Sequence, residues 1–289
     1  MRKYLVCIGI LFLLLAPKLH GQEMYYNIWS DFHNTPSKTV FADTAKIRSA
    51  PGTNSLVTDT LYAGDTLFVI ATEKQELTLK GFTAPWLKVR YNVTGVQKTG
   101  YIWAGLVSFE RAASNNTTFV YGLDLIRSKD SVFADGEKVK LRECIVKLKA
   151  VQNRKVVSAR GWVLGSEESL SYTTAKLTKG KGLATVLNLV EVVFSGEACG
   201  IPTLTYTYAW NGKQLIALPE LMDVGDADVY WHEERFVYPA DKGGKPSLLT
   251  WKMKEAESTE KTDKKGNTIY KESSATKTYR WTGDKFILQ

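Results

Sequence analysis

Few residues of this 289-residue chain have the type and spacing that chemistry requires. Zinc catalysis needs about three nitrogen, oxygen or sulfur ligands and an open position, and the chain has no His-Glu-x-x-His. One acidic constellation stands out: Asp223, Asp226, Asp228, Glu233 and Glu234, in a stretch containing Gly225. Oxygen-rich loops of this kind coordinate calcium, although the spacing matches no established calcium loop. Asp223, Asp226 and Asp228 are therefore the metal candidates, set against a plain solvated loop, and no cofactor is expected. Asp226 and Glu233 are also the acids a hydrolase would use. Serine chemistry has less support, since Gly165-Ser166-Glu167 and Phe194-Ser195-Gly196 lack the full Gly-x-Ser-x-Gly turn. Gly180-Lys181-Gly182 lacks the spacing of a phosphate loop. A thiol nucleophile would need a histidine, and past residue 21 only His33 and His232 remain. Cys144, in Arg142-Glu143-Cys144-Ile145, has no small-residue turn to expose a thiolate; Cys199, before Gly200, has a more turn-like setting.

The N-terminus reads as an address. Arg2 and Lys3 precede an apolar run over 5–16 that Pro17 and Lys18 end, the order of a secretory signal peptide. That run is too short to span a bilayer as a helix, which takes about 20 residues. Cleavage after Gly21 is expected, giving a signal peptide over 1–21 and a leader over 22–37, with a retained anchor as the rival. The chain is then exported, periplasmic or extracellular, with no membrane span after cleavage. Export leaves Cys144 and Cys199 as an even pair, which predicts a disulfide closing a loop of about 50 residues. The formal charge of +8 is carried by lysines interspersed with acids. No basic stripe forms, and nucleic-acid binding is not expected.

From 38 to 110 short strand-like runs at 40–42, 45–48, 67–72, 86–91 and 99–103 alternate with turn chemistry at Pro51-Gly52, Ala63-Gly64-Asp65 and Thr94-Gly95. Five or more such strands close into a small barrel, which removes exposed sheet edges. Ile47, Leu67, Val69, Leu87, Val89 and Ile102 would fill it. Four blocks in order carry a resemblance: Lys46-Ile47-Arg48-Ser49-Ala50-Pro51-Gly52, Leu61-Tyr62-Ala63-Gly64-Asp65-Thr66-Leu67, Trp86-Leu87-Lys88-Val89-Arg90 and Gly100-Tyr101-Ile102-Trp103-Ala104-Gly105-Leu106. This region resembles the bacterial SH3-like (SH3b) domain. It departs from the family pattern at Ala50, at Tyr101 and in the longer connection over 73–84. The resemblance implies a module without catalysis of its own that binds cell-wall peptide or peptidoglycan. Trp86, Tyr101 and Trp103 are the candidate ligand contacts, while packing inside the barrel is the alternative for both tryptophans.

The polar stretch 111–116 is the expected linker, and 117–289 reads as a larger, mainly antiparallel β domain, so the fold class is mainly β. Tyr208-Ala209-Trp210-Asn211-Gly212 is echoed 71 positions later by Tyr279-Arg280-Trp281-Thr282-Gly283, each followed by a second strand-like half. Both are expected as hairpins with Tyr and Trp on one face. They are similar to hairpins of exported FG-GAP/VCBS-type repeat proteins. The charged stretch 254–277 reads as a long solvated hairpin or a loop. Together these readings predict an exported binding protein for cell-wall peptide, a glycan polymer or another exported protein. Two alternatives remain: a wall or glycan hydrolase with its site in the second domain, and a docking module using its Tyr/Trp hairpins.

Overall fold

The computed structural model describes residues 36–132, 136–164, 173–196, 198–227 and 229–289; the segment expected as a signal peptide and nearly all of the expected leader lie outside them. Nearly everything described is strand, and no α-helix occurs among the described residues. The first unit is a curled six-stranded sheet: β1 (Ser37–Thr39), β2 (Thr44–Arg48), β3 (Val57–Tyr62), β4 (Thr66–Leu79), β5 (Phe82–Val93) and β6 (Val96–Trp103), in spatial order β1-β4-β5-β6-β2-β3. Its strands alternate as a half-buried sheet requires. Ala45, Ile47, Leu67, Val69, Leu87, Val89 and Ile102 are buried, and apart from Trp86 and Trp103, which are also buried, their strand neighbours are exposed or half-buried.

The connection over 73–84, longer than the SH3b pattern, is an arm of the β4–β5 hairpin. Its tip, Lys80-Gly81, has positive φ at both residues and reaches the next sheet, where Ile126 N–H donates to the Lys80 carbonyl at 2.9 Å. A Cβ on Gly81 would overlap the Ile126 carbonyl oxygen, so only glycine permits this approach.

Residues 111–116, expected as a linker, are the strand β7 (Glu110–Ser114) and its turn into β8 (Thr117–Val132). With β9 (Lys138–Gln152) and β10 (Lys155–Leu164) they form a four-stranded sheet in order β10-β9-β8-β7. One face carries Val120 and Val151 against Phe41 and Ala63 of the barrel. The other carries Phe119, Tyr121, Leu148 and Trp162 towards the third layer, in a core that also includes barrel residues.

That third layer is a nine-stranded sheet of β11 (Thr173–Lys179), β12 (Asn188–Phe194), β13 (Thr203–Trp210), β14 (Leu215–Ala217), β15 (Leu221–Asp226), β16 (Tyr230–Val237), β17 (Leu248–Thr262), β18 (Thr268–Trp281) and β19 (Phe286–Leu288). Trp162 stacks on Tyr206 at 4.8 Å, and Phe119 meets Trp210 edge-on at 5.7 Å, which locks the second and third layers together. On the reverse side a second core joins Leu189 and Ala209 to Phe236, Leu249, Trp251 and Trp281. The charged 254–277 stretch is the greater part of the β17–β18 hairpin.

The two echoed motifs are hairpins of one register. Trp210 pairs with Leu215 and Trp281 with Phe286, and Gly212 and Gly283 take the positive φ of the turns. Their tryptophans are core, 2% and 4% exposed, and Tyr208 is also buried. This corrects the expectation of an aromatic docking patch there: each indole covers one of the two cores.

The predicted disulfide is also corrected. Cys144 lies in β9 opposite Ile126 and Leu164, fully buried in the middle layer. Cys199 is exposed in the turn between β12 and β13, and no bond joins the two. An even cysteine count carries no information about separation, which must fall within about 7 Å between Cα atoms for a bridge.

Candidate functional site

Strand parity decides which barrel residues can meet a ligand. Because Leu67, Val69, Val89 and Ile102 point inward, Phe68, Arg90, Lys88 and Tyr101 point outward. The register sets them in two rows across the sheet. Phe68 lies opposite Arg90 and Arg90 opposite Thr99; Lys88 lies opposite Tyr101 and Tyr101 opposite Arg48. Phe68 is 39% exposed, with the Arg90 guanidinium 4.7 Å from its ring centre. Beside it runs a groove of about 140 Å3, lined by Ser37, Thr66, Phe68, Arg90, Asn92 and Gln97. Chemically this face offers an aromatic surface, guanidinium and ammonium donors, and amide and hydroxyl groups. Such a set suits a short peptide carrying carboxylates and small apolar side chains.

Through Tyr91, an inward residue of β5, the barrel already engages an acid. The Tyr91 hydroxyl donates to Asp59 Oδ2 at 2.8 Å, and Lys98 Nζ donates to Asp59 Oδ1 at 3.0 Å. The tyrosine first, and the lysine after it, hold the Asp59 carboxyl below its ordinary range. Burial, reinforced by that carboxylate, pushes the Tyr91 phenol up to about 12. The pair is thus a fixed hydrogen-bonded strut and leaves Arg90 and Lys88 as the cations facing a ligand.

Of the three aromatic residues expected to contact ligand, only Tyr101 is half-buried on this outer face. Trp86 and Trp103 are 3% and 2% exposed and belong to the core, a correction with a visible cause. They oppose one another across β5 and β6, and the β4–β5 arm folds over Trp103. Trp103 stacks on Phe82 at 5.1 Å, and its Nε1 donates to the carbonyls of Ala84 at 2.9 Å and Leu77 at 3.1 Å. Phe68 and Arg90 were missed in the sequence. Their signal was present: each is the outward member of an alternating strand, and only register brings them together.

The acids of β15 and β16 do different work from that expected. β15 pairs with β13 through 221–223 and with β16 through 224–226, so it bridges two parts of the sheet. Where it changes partner, Asp223 Oδ1 accepts from Glu234 N–H at 2.9 Å, and Glu234 Oε2 accepts from Met222 N–H at 3.1 Å. These carboxylates replace missing ladder partners. Asp226 pairs with Tyr230, whose side of β16 is opposite to that of Glu233. The two acids of the hydrolase reading therefore lie on opposite faces and cannot flank one bond. Asp228 lies outside the described residues, and among those described no three His, Cys, Asp or Glu groups converge as a metal site.

Sequence reasoning also missed a histidine cluster. Tyr230, His232 and Glu234 share one face of β16, and the register places Glu255 opposite His232 and Ser273 opposite Glu255. His232 Nε2 lies 3.0 Å from Glu234 Oε1 and Nδ1 lies 3.2 Å from Glu255 Oε2. Ser273 donates to Glu255 Oε1 at 2.7 Å. Burial opposes a charge on the ring, but the two carboxylates outweigh it and hold the imidazole above its ordinary value. Both ring nitrogens are occupied, so this histidine has no free nitrogen to serve as a base. Its carboxylates sit on opposite sides of the ring, which also precludes a shared metal.

No curated protein and no solved structure matches this chain. A match falls on the barrel: residues 43–108, less than a quarter of the chain, match the family model described as bacterial SH3 domain.

Proposed function

We propose that the chain is an exported, non-catalytic binding protein whose SH3 barrel holds cell-wall peptide on the outward face of β4, β5 and β6. The observation that carries this reading is the pair of outward rows, Phe68-Arg90-Thr99 and Arg48-Lys88-Tyr101, beside a groove, on the segment that matches the bacterial SH3 domain. Wall stem peptides are short, rich in small side chains and terminated by carboxylates. Arg90 supplies a forked donor for a carboxylate, and Phe68 and Tyr101 supply apolar surface. The signal-like N-terminus supports export, in a periplasmic or extracellular setting. The packing of the barrel on the four-stranded sheet supports a fixed presentation of this face.

The test is retention on purified peptidoglycan sacculi at low salt. Arg90→Ala and Phe68→Ala alter exposed positions, so loss of retention with unchanged melting supports the reading. Undiminished retention of both variants refutes this face as the contact.

A further inference from the structure

The reverse side of the histidine cluster carries a different constellation. On β16, Trp231, Glu233 and Arg235 share the face opposite His232. The register extends this face in rows: Trp231 lies opposite Ala256, Glu233 opposite Lys254 and Ser274, Arg235 opposite Lys252 and Thr276. Tyr270, opposite Ser258, belongs to the same face. Three adjoining depressions run along it. The first, about 180 Å3, lies between Tyr270 and Trp231, and the second, about 620 Å3, between Trp231 and Glu233 on one side and Ala198, Cys199 and Ile201 of the β12–β13 turn on the other. The third, about 530 Å3, is lined by Asp223, Glu233, Arg235, Lys252 and Lys254 among others.

Two features of this trough are unexplained by folding. Arg235 and Lys252 stand directly opposite one another, a like-charge pair that destabilises a sheet. Among the described residues neither has an acidic partner, as is true of most of the chain's exposed lysines and arginines, but only here do two such cations face each other across the trough. An anion between them would relieve the repulsion. The second feature is Trp231, whose neighbour across β15 is Gly225; a Cβ there would meet nothing within 4 Å. The indole is part-exposed with no side chain at Gly225 beside it, and it lines one depression together with Tyr270.

We infer that this trough binds a carboxylate-bearing oligosaccharide. Sugar rings present C–H faces that pack on Trp231 and Tyr270, Asp223 and Glu233 accept from ring hydroxyls, and Arg235 with Lys252 takes the carboxylate, Ser274 and Thr276 adding hydroxyl donors. The order along the trough, aromatic then acidic then basic, matches a chain that alternates neutral and charged sugars. The site is separate from the barrel face and does not depend on its ligand.

The test titrates the full chain with hyaluronan oligosaccharides and with neutral cello-oligosaccharides of equal length, following tryptophan fluorescence. Saturable change with hyaluronan, weakened about tenfold by Arg235→Gln or Lys252→Gln and by added salt, is the expected result. Both substitutions are at exposed positions and remove a like-charge contact, so melting temperature without ligand is unchanged or raised. Phe68→Ala leaves the titration unaltered. Equal binding of the neutral oligosaccharide, equal competition by acetate, or no saturable change at millimolar sugar each overturns the inference.

Discussion

Lys149 should hold the barrel to the middle sheet. It projects from β9 towards the barrel with 8% of its surface exposed, and its Nζ donates to the Phe41 carbonyl at 3.0 Å and to Asp43 Oδ1 at 2.7 Å. The ammonium also lies 4.3 Å from the Phe41 ring centre. Replacing it with methionine keeps the apolar stem and removes the donor. A hydrogen bond involving a charged group is worth about 1.5–3 kcal/mol, and the Phe41 carbonyl would lose its donor. Asp43 is 75% exposed and well solvated, so its share is small. The expected loss is about 2 kcal/mol, a fall of about 4–8 °C in Tm for a unit of this size. Differential scanning calorimetry of wild type and Lys149→Met measures it. Because barrel and sheets share one core, each protein should melt in a single transition. Two separated transitions in the wild type, or a Tm unchanged within about 1 °C in the variant, would refute this reasoning.

Other expectations concern the arm, the histidine and the thiols. Gly81→Ala should destabilise by about 1–3 kcal/mol, through positive φ and overlap with the Ile126 carbonyl, and urea denaturation would show it as a lower midpoint with unchanged slope. His232 has a raised value in the fold, so its stabilisation is fully present below the unfolded value of about 6.5 and is lost as pH rises through the folded one. Glu255, lowered chiefly by Ser273 and then by His232, acts in the opposite sense, its contribution present above the ordinary carboxylate value and lost as pH falls through the depressed one. Melting measured across pH should decline on the alkaline side in wild type and lose that decline in His232→Gln; identical profiles would contradict the bridge. In native protein a maleimide should label Cys199 and leave Cys144 protected, and non-reducing mass spectrometry should find no bridge.

Where a strand alternates around a buried core, the chain announces it, which is why β2 and β4 to β6 were legible. The arm over 73–84 was not, because Thr72, Lys74, Gln75 and Glu76 have no apolar face of their own and are positioned by hairpin pairing and by contact with β8. Residues 111–116 read as a linker for a similar reason. Their polar outer positions resemble a loop until β8 is seen pairing with them. The role of Trp103 turned on that same arm, whose Phe82 stacks on it and whose Leu77 and Ala84 carbonyls accept from its indole. The His232 bridge was hidden differently: its partners Glu255 and Ser273 are 23 and 41 residues away, and only the register of β16, β17 and β18 aligns them.

The central claim is that the outward rows of the barrel bind wall peptide, and the most direct measurement is co-sedimentation of the full chain with purified sacculi, wild type beside Arg90→Ala. The account predicts that the wild type pellets, that salt releases it, and that Arg90→Ala stays largely in the supernatant with an unchanged Tm. A wild type that remains in the supernatant at low salt, or an Arg90→Ala variant that pellets equally well, would contradict it.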